Sequence, residues 1–246
     1  MPRQARRKSK NGIYHIMLRG INKQVIFEDD EDYKRFLETV KKYKTICGYS
    51  VYAYCLMNNH IHLLIKVGHE DLDLILKRIA GSYVYWYNWK YARTGHVFQD
   101  RFKNEPVDSD DYLLTVLRYI HQNPVKAHLC DKLEDYKYSS YRDYIYSSYD
   151  LIDKDFIYSV LGSTDFIKFN NEANDEKCLE LNETAHRLTD KEGQDVIQNI
   201  LNGRKIEELT TKQEKEAFIK QLKTNGFSIR QISRLTGITV GIVRKC

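Results

Sequence analysis

The chain is 246 residues long, with 42% hydrophobic and 30% charged residues, which suits a soluble globular protein of one sizeable domain and a smaller companion. Only three prolines are present, too few for long extended linkers, and no apolar run approaches the ~18 residues a membrane span needs. The N-terminus lacks the apolar stretch that follows the basic start of a signal peptide, so the sequence points to the cytoplasm and to no membrane partner.

The formal charge of +5 is unevenly placed. Met1 to Lys10 carries Arg3, Arg6, Arg7, Lys8 and Lys10 without an acid, and Phe227 to Cys246 carries Arg230, Arg234, Arg244 and Lys245, again unopposed. Taking these five and four charges from +5 leaves −4 for everything between, so the two ends are the phosphate-seeking parts. The five cysteines, Cys47, Cys55, Cys130, Cys178 and Cys246, are scattered without a CxxC pair and read as reduced structural thiols.

In chain order, Gly12 to Arg19 alternates like a strand. Asp29, Asp30, Glu31 and Asp32 then open an amphipathic helix that ends near Gly48. Val51 to Met57 and His60 to Val67 read as hairpin strands about an Asn58-Asn59 turn. A second helix is expected from Asp71 to about Ala92, closed by Gly95, and a strand pair over His96 to Val107. Asp108, Ser109 and Asp110 cap a third helix expected to stop near Gln122, because Pro124 disfavours its continuation. This order is an α+β pattern: an antiparallel sheet with helices packed on one face.

The first domain is placed at residues 1–160 and an acidic connecting segment at 161–195, the latter on Asp165, Glu172, Asp175, Glu176, Glu180, Glu183 and Asp190. A small all-α domain follows at 196–246. In it Lys212 to Asn225 is helical, and Ser228 to Thr236, Gly237 and Thr239 to Lys245 form a helix-turn-helix. Its internal faces are assigned to Ile229, Ile232, Leu235, Ile238, Ile242 and Val243. A second helix carrying Thr239, Arg244 and Lys245 beside no acid favours DNA, with Arg230 and Arg234 as further contacts.

His60 and His62 lie two apart on a strand, so their imidazoles share a face and can hold one divalent ion; a His-x-His pair alone serves equally well as surface or hydrogen-bonded residues. Tyr119 and Asn123, four apart on the third helix, share a face from which His121 is turned away. An amide oxygen from Asn123 can complete a three-ligand open site beside a phenol nucleophile, although Tyr119, one of 19 tyrosines, reads in isolation as a core aromatic.

Four segments appear in order: Tyr14-His15-Ile16-Met17-Leu18-Arg19-Gly20, Met57-Asn58-Asn59-His60-Ile61-His62-Leu63-Leu64, Phe98-Gln99-Asp100-Arg101-Phe102-Lys103 and Arg118-Tyr119-Ile120-His121-Gln122-Asn123-Pro124-Val125. Together they resemble the REP-associated branch of single-tyrosine HUH transposases, and Ser228 to Gly237 resembles the helix-turn-helix of some members. The resemblance implies a ferredoxin-like HUH palm, His60 and His62 as the histidine pair, Asn123 as third ligand, Tyr119 as nucleophile and Mg2+ or Mn2+ as the ion, although two imidazoles and an amide tolerate zinc or nickel by ligand preference. It also implies single-stranded DNA in hairpin-forming repeats, cleaved and rejoined through a 5′-phosphotyrosine link by a monomer or homodimer.

Arg19, Arg101 and Lys103 flank these motifs and are candidates for gripping phosphates. Tyr83, Tyr85, Trp86 and Tyr87, or Tyr136, Tyr138, Tyr141, Tyr144 and Tyr146, offer stacking surfaces for bases. No general base is evident. Two alternatives stand beside the transposase: a nickase of replication or plasmid transfer using the same chemistry, and a non-catalytic regulator relying on the C-terminal hairpin and basic arm.

Overall fold

A computed structural model describes residues 7–99, 101–146, 150–174, 178–179 and 188–246. Arg3 and Arg6 of the basic arm, Asp100, and Asp175, Glu176, Glu180 and Glu183 of the acidic stretch lie outside the described residues.

Strand β1 (Ile13–Arg19) leads into α1 (Asp30–Cys47). That helix begins where it does because Asp29 accepts from the amides of Glu31 and Asp32 while Asp32 returns a bond to the Asp29 amide; Gly48, at φ 67°, closes it. The hairpin β2 (Ser50–Met57) and β3 (His60–Lys66) turns at Asn58-Asn59. This turn is pinned from outside, since the Asn58 carbonyl accepts from Ile26 and Phe27 at 2.7 and 3.2 Å and the Asn59 carbonyl from Gly20 at 2.8 Å. His60 therefore leaves the turn in a fixed position.

Helix α2 (Leu72–Lys90) is capped at Tyr91. Gly95 does not close it: that glycine lies further on, where its carbonyl accepts from the Asn88 amide at 2.9 Å. The strand pair expected over His96 to Val107 reduces to β4 (Lys103–Pro106) and an isolated bridge between Phe98 and Gly20. Before that bridge, Val97 is buried and its carbonyl accepts from the Ile21 amide at 2.9 Å.

Helix α3 (Asp110–Lys126) runs past Pro124, contrary to the expected stop near Gln122. A proline there removes one amide donor, but the turn stays closed by the Ala127 amide on the Asn123 carbonyl at 2.9 Å, and Pro124 is buried. The sheet order is β2-β3-β1-β4, all antiparallel, the split βαβ arrangement of ferredoxin-like folds. Helices were expected on one face only. The strands are instead buried on both: α3 lies over the face of His15 and His62, while Ile61, Leu63 and Ile65, which alternate to the other side, are fully buried. Along the outer side of β2 the segment 138–140 adds backbone bonds, with the Leu56 amide on the Tyr138 carbonyl at 3.0 Å and the Ser140 amide on the Tyr54 carbonyl at 2.9 Å.

Helices α4 (Tyr141–Tyr146), α5 (Lys154–Leu161) and α6 (Phe166–Asn171) belong to this same core through Tyr141, Ile157, Phe166 and Phe169, and Cys178 is its last member. The acidic stretch is thus more than a surface connection, because its apolar residues carry α6 inward. A second core forms from α7 (Asp190–Leu201), α8 (Lys212–Thr224), α9 (Ile229–Thr236) and α10 (Val240–Lys245), around Ile197, Phe218, Ile219, Leu222, Ile232 and Val243. Helix α7 was not anticipated, although Thr189 and Glu192 form the reciprocal cap that marks its start. Ile242, assigned to the internal face, is 49% exposed; only Val243 of the pair turns inward.

Candidate active site

The sheet register assembles the site. His62 pairs with Met17 and Met17 with Lys103, while His15 pairs with Leu64 and Glu105, and Arg19 with His60. Directly opposed residues share a face, so His15, His60, His62, Arg19, Lys103 and Glu105 form one polar surface on an otherwise apolar sheet. Helix α3 brings Tyr119 and Asn123 down onto it. Its remaining motif residues turn to α6: Arg118 to Glu172, Gln122 to the Asn170 carbonyl, and His121 to Asn170 Oδ1 at 2.7 Å and Ser140 Oγ at 2.9 Å.

His62 is the hub. Its Nε2 accepts from Asn123 Nδ2 at 3.2 Å and its Nδ1 lies 2.9 Å from His15 Nε2. The His60 ring is edge-on to it, with centroids 5.1 Å apart, and His60 Nδ1 meets Asn59 Oδ1 at 2.6 Å. Tyr119, only 4% exposed, sets its ring edge-on to both His15 and His62, at 5.8 and 5.7 Å. Lys126 holds its ammonium 5.5 Å from the Tyr119 ring centre while donating to the Asn174 carbonyl at 2.8 Å.

Burial holds His62 well below the ordinary imidazole range, and the neighbouring His60 and His15 add to the effect. His60 is pushed down to about 4 by burial and the Arg19 charge, and His15 is lowered by burial against the opposing pull of Glu105. These imidazoles are therefore neutral at pH 7 and keep lone pairs for a metal or a hydrogen bond. Among the described residues no three His, Cys, Asp or Glu side chains converge on one point; the donors here are two imidazoles and an amide. They fit a divalent ion, because the amide faces the very nitrogen of His62 that carries the free lone pair, and a half-turn of the amide presents its oxygen instead.

The model of the family described as "Transposase IS200 like" matches residues 8–123, the span that contains His15, His60, His62, Tyr119 and Asn123. Residues 8–123 are an IS200-like transposase domain. The solved structure of a REP-associated tyrosine transposase bound to a REP hairpin shares its fold, with a TM-score of 0.51 at 18% identity over 73% of this chain and 100% of that one. A candidate transposase from Deinococcus radiodurans R1 is 15% identical over 49% of this chain and 97% of its own, with a TM-score of 0.36. Among curated proteins none matches.

Around the transposase domain, Arg101 is exposed outside regular structure and Lys103 is exposed at the start of β4. Tyr83, Tyr87, Tyr141 and Tyr144 are buried, which removes them as stacking surfaces, whereas Tyr85 and Tyr146 are exposed at 80% and 58%. In the helix-turn-helix unit Arg230, Thr239, Arg244 and Lys245 are exposed. Arg234 is directed elsewhere: its guanidinium grips Asp190 at 2.6 Å and Glu28 at 3.3 Å. A cleft of about 450 Å3 between the two cores is lined by Arg93, Arg230 and Arg244 among others. Arg93 and the neighbours of His62, namely His15 and Glu105, had no role in the sequence reading. Strand alternation on β1 marks His15 as facing the same way as Met17, but its partner strands are legible only from the register. No helix of the described residues is long and apolar enough to cross a membrane.

Proposed function

We propose that this transposase cleaves and rejoins single-stranded DNA through Tyr119, with His60, His62 and Asn123 holding a Mg2+ or Mn2+ ion. The observation that carries the reading is the convergence of Tyr119 with the His62–Asn123 pair, the two ring centres of Tyr119 and His62 lying 5.7 Å apart and the pair in contact at 3.2 Å.

The Tyr119 hydroxyl attacks a DNA phosphorus, the new phosphorus–oxygen bond replaces the bond to the 3′ oxygen, and a 3′-hydroxyl strand leaves. The 5′-phosphotyrosine retains the phosphodiester energy, so the same hydroxyl, or another, reverses the step without ATP. A metal bound at the imidazoles and amide supplies charge stabilisation at a phosphate oxygen. Lys126 adds positive charge beside the nucleophile's ring, and Arg19 and Lys103, on the same sheet face, are placed to hold flanking phosphates. A hairpin substrate is supported by the fold shared with the protein solved with a REP hairpin. We further assign residues through Cys178 to the catalytic unit and the second core to a DNA-binding unit, with Arg230, Thr239, Arg244 and Lys245 on its exposed side.

The test is to mix the protein with 3′-labelled single-stranded hairpin DNA and manganese, then denature it. Label retained on the wild type, but lost in Tyr119→Phe and with chelator, is expected. Label retained on Tyr119→Phe removes Tyr119 as nucleophile; absence of any adduct, with metal-independent duplex binding preserved, favours a non-catalytic regulator.

A further inference from the structure

A neutral imidazole has one nitrogen that donates and one that accepts, and a metal takes only the accepting one. At His62 the choice is made by its surroundings. Nε2 receives a hydrogen bond from the Asn123 amide at 3.2 Å, so it carries the lone pair and the ring proton sits on Nδ1. That Nδ1 faces His15 Nε2 at 2.9 Å, which must then be the acceptor. His15 is left with its proton on Nδ1, an atom wholly buried and without a hydrogen-bond partner, aimed at Glu105 Oε2 3.8 Å away. These contacts assign one order to the protons along the line, running from the site towards the carboxylate.

The line is built into the sheet. Glu105 is the direct cross-strand partner of His15, and His62 is the diagonal neighbour of His15 on the other flank, since Met17 pairs with His62 and His15 with Leu64. His15 is entirely buried and stacks on His62, with ring centres 5.2 Å apart. The same Glu105 oxygen accepts from the Leu179 amide at 3.1 Å, which orients the carboxylate.

Resting on the reading of His62 as a metal ligand, we propose that His15 and Glu105 are positioning residues that hold the proton on His62 Nδ1 and so present Nε2 to the ion. Carboxylate–histidine pairs behind a ligand do this where the carboxylate touches the ligating ring itself; here a second imidazole stands between. Loss of such support weakens metal binding about 10- to 100-fold.

The experiment has a metal-free arm and a metal arm. Long-range 1H–15N NMR of the metal-free protein should show His62 and His15 as Nδ1–H tautomers, and His15→Leu should turn His62 into a mixture. Mn2+ affinity measured by electron paramagnetic resonance should fall about 10- to 100-fold in His15→Leu, fall less in Glu105→Gln, and recover partly in His15→Gln, whose amide oxygen still accepts from Nδ1–H. Thermal unfolding of each variant establishes that it is folded. If His62→Ala leaves Mn2+ affinity unchanged, the ligand assignment itself fails. If His62→Ala abolishes binding while folded His15→Leu keeps both the His62 tautomer and wild-type affinity, the positioning role fails alone.

Discussion

Glu28 lies where the two cores meet, and its environment predicts how their association responds to pH. Its carboxylate accepts from the Asp190 amide at 2.9 Å and from Arg234 at 3.3 Å, with the side chain 8% exposed. Burial, reinforced by the Asp190 charge, outweighs the pairing with Arg234 and pushes Glu28 up from 4.5 to about 7. Between those values the folded protein keeps a proton that the unfolded chain releases, so stability falls as pH rises through the window and the deficit is complete above pH 7. Each pH unit is worth about 1.36 kcal/mol, which makes the full deficit about 3 kcal/mol. Glu28→Gln removes the ionisation but keeps one acceptor oxygen in place of two, a loss of about 1 kcal/mol. Urea unfolding should therefore find the variant about 2 kcal/mol more stable than wild type at pH 8 and no more stable at pH 5. Parallel stability curves for the two proteins across pH 5 to 8 would refute the reasoning.

Three further outcomes follow from the fold. His121→Ala removes a fully buried ring whose two nitrogens both have partners, and should cost about 2–4 kcal/mol in urea unfolding; a variant of wild-type stability that nevertheless loses strand cleavage would contradict the structural role given to it. Gly68→Ala would set a methyl 2.1 Å from the Gly48 carbonyl oxygen, a backbone atom, where the end of β3 crosses the cap of α1; a loss of about 1–3 kcal/mol is expected, and an unchanged unfolding midpoint would argue against that close crossing. Arg244→Ala should leave stability unchanged yet reduce the salt slope of duplex binding by about one, which fluorescence anisotropy across a salt series measures.

The sequence made legible those elements whose signal is local. Acidic residues marked the start of α1 and Ser109, between two aspartates, that of α3; Gly48 marked the end of α1, and the Asn58-Asn59 dipeptide the hairpin that presents His60. The partition of Tyr119 and Asn123 from His121 followed from helical spacing alone. What escaped depended on partners far along the chain. The proline at 124 looked like a helix stop because its tolerance rests on burial against the first core. The stretch read as an acidic connection also holds Phe166 and Phe169, which α3 and α4 cover from elsewhere in the chain. Arg234 resembled its neighbours Arg230 and Arg244 in charge and setting, and the approach of Asp190 and of Glu28, 206 residues away, distinguishes it. His15 sits in a quoted motif without a role of its own and Glu105 lies outside those motifs; the register of β1 against β3 and β4 puts them beside His62.

The bonds that segment 138–140 makes along β2 bear on how this protein meets copies of itself. An outermost strand normally offers a row of unanswered amides and carbonyls to which another chain can zip. Here the Leu56 amide and Tyr54 carbonyl on that flank are already engaged, and the opposite flank is a four-residue strand ending in Pro106, which has no amide hydrogen to give. The sheet is partly covered on its long border and blunted on its short one, an arrangement that disfavours strand-to-strand joining of two copies along either flank.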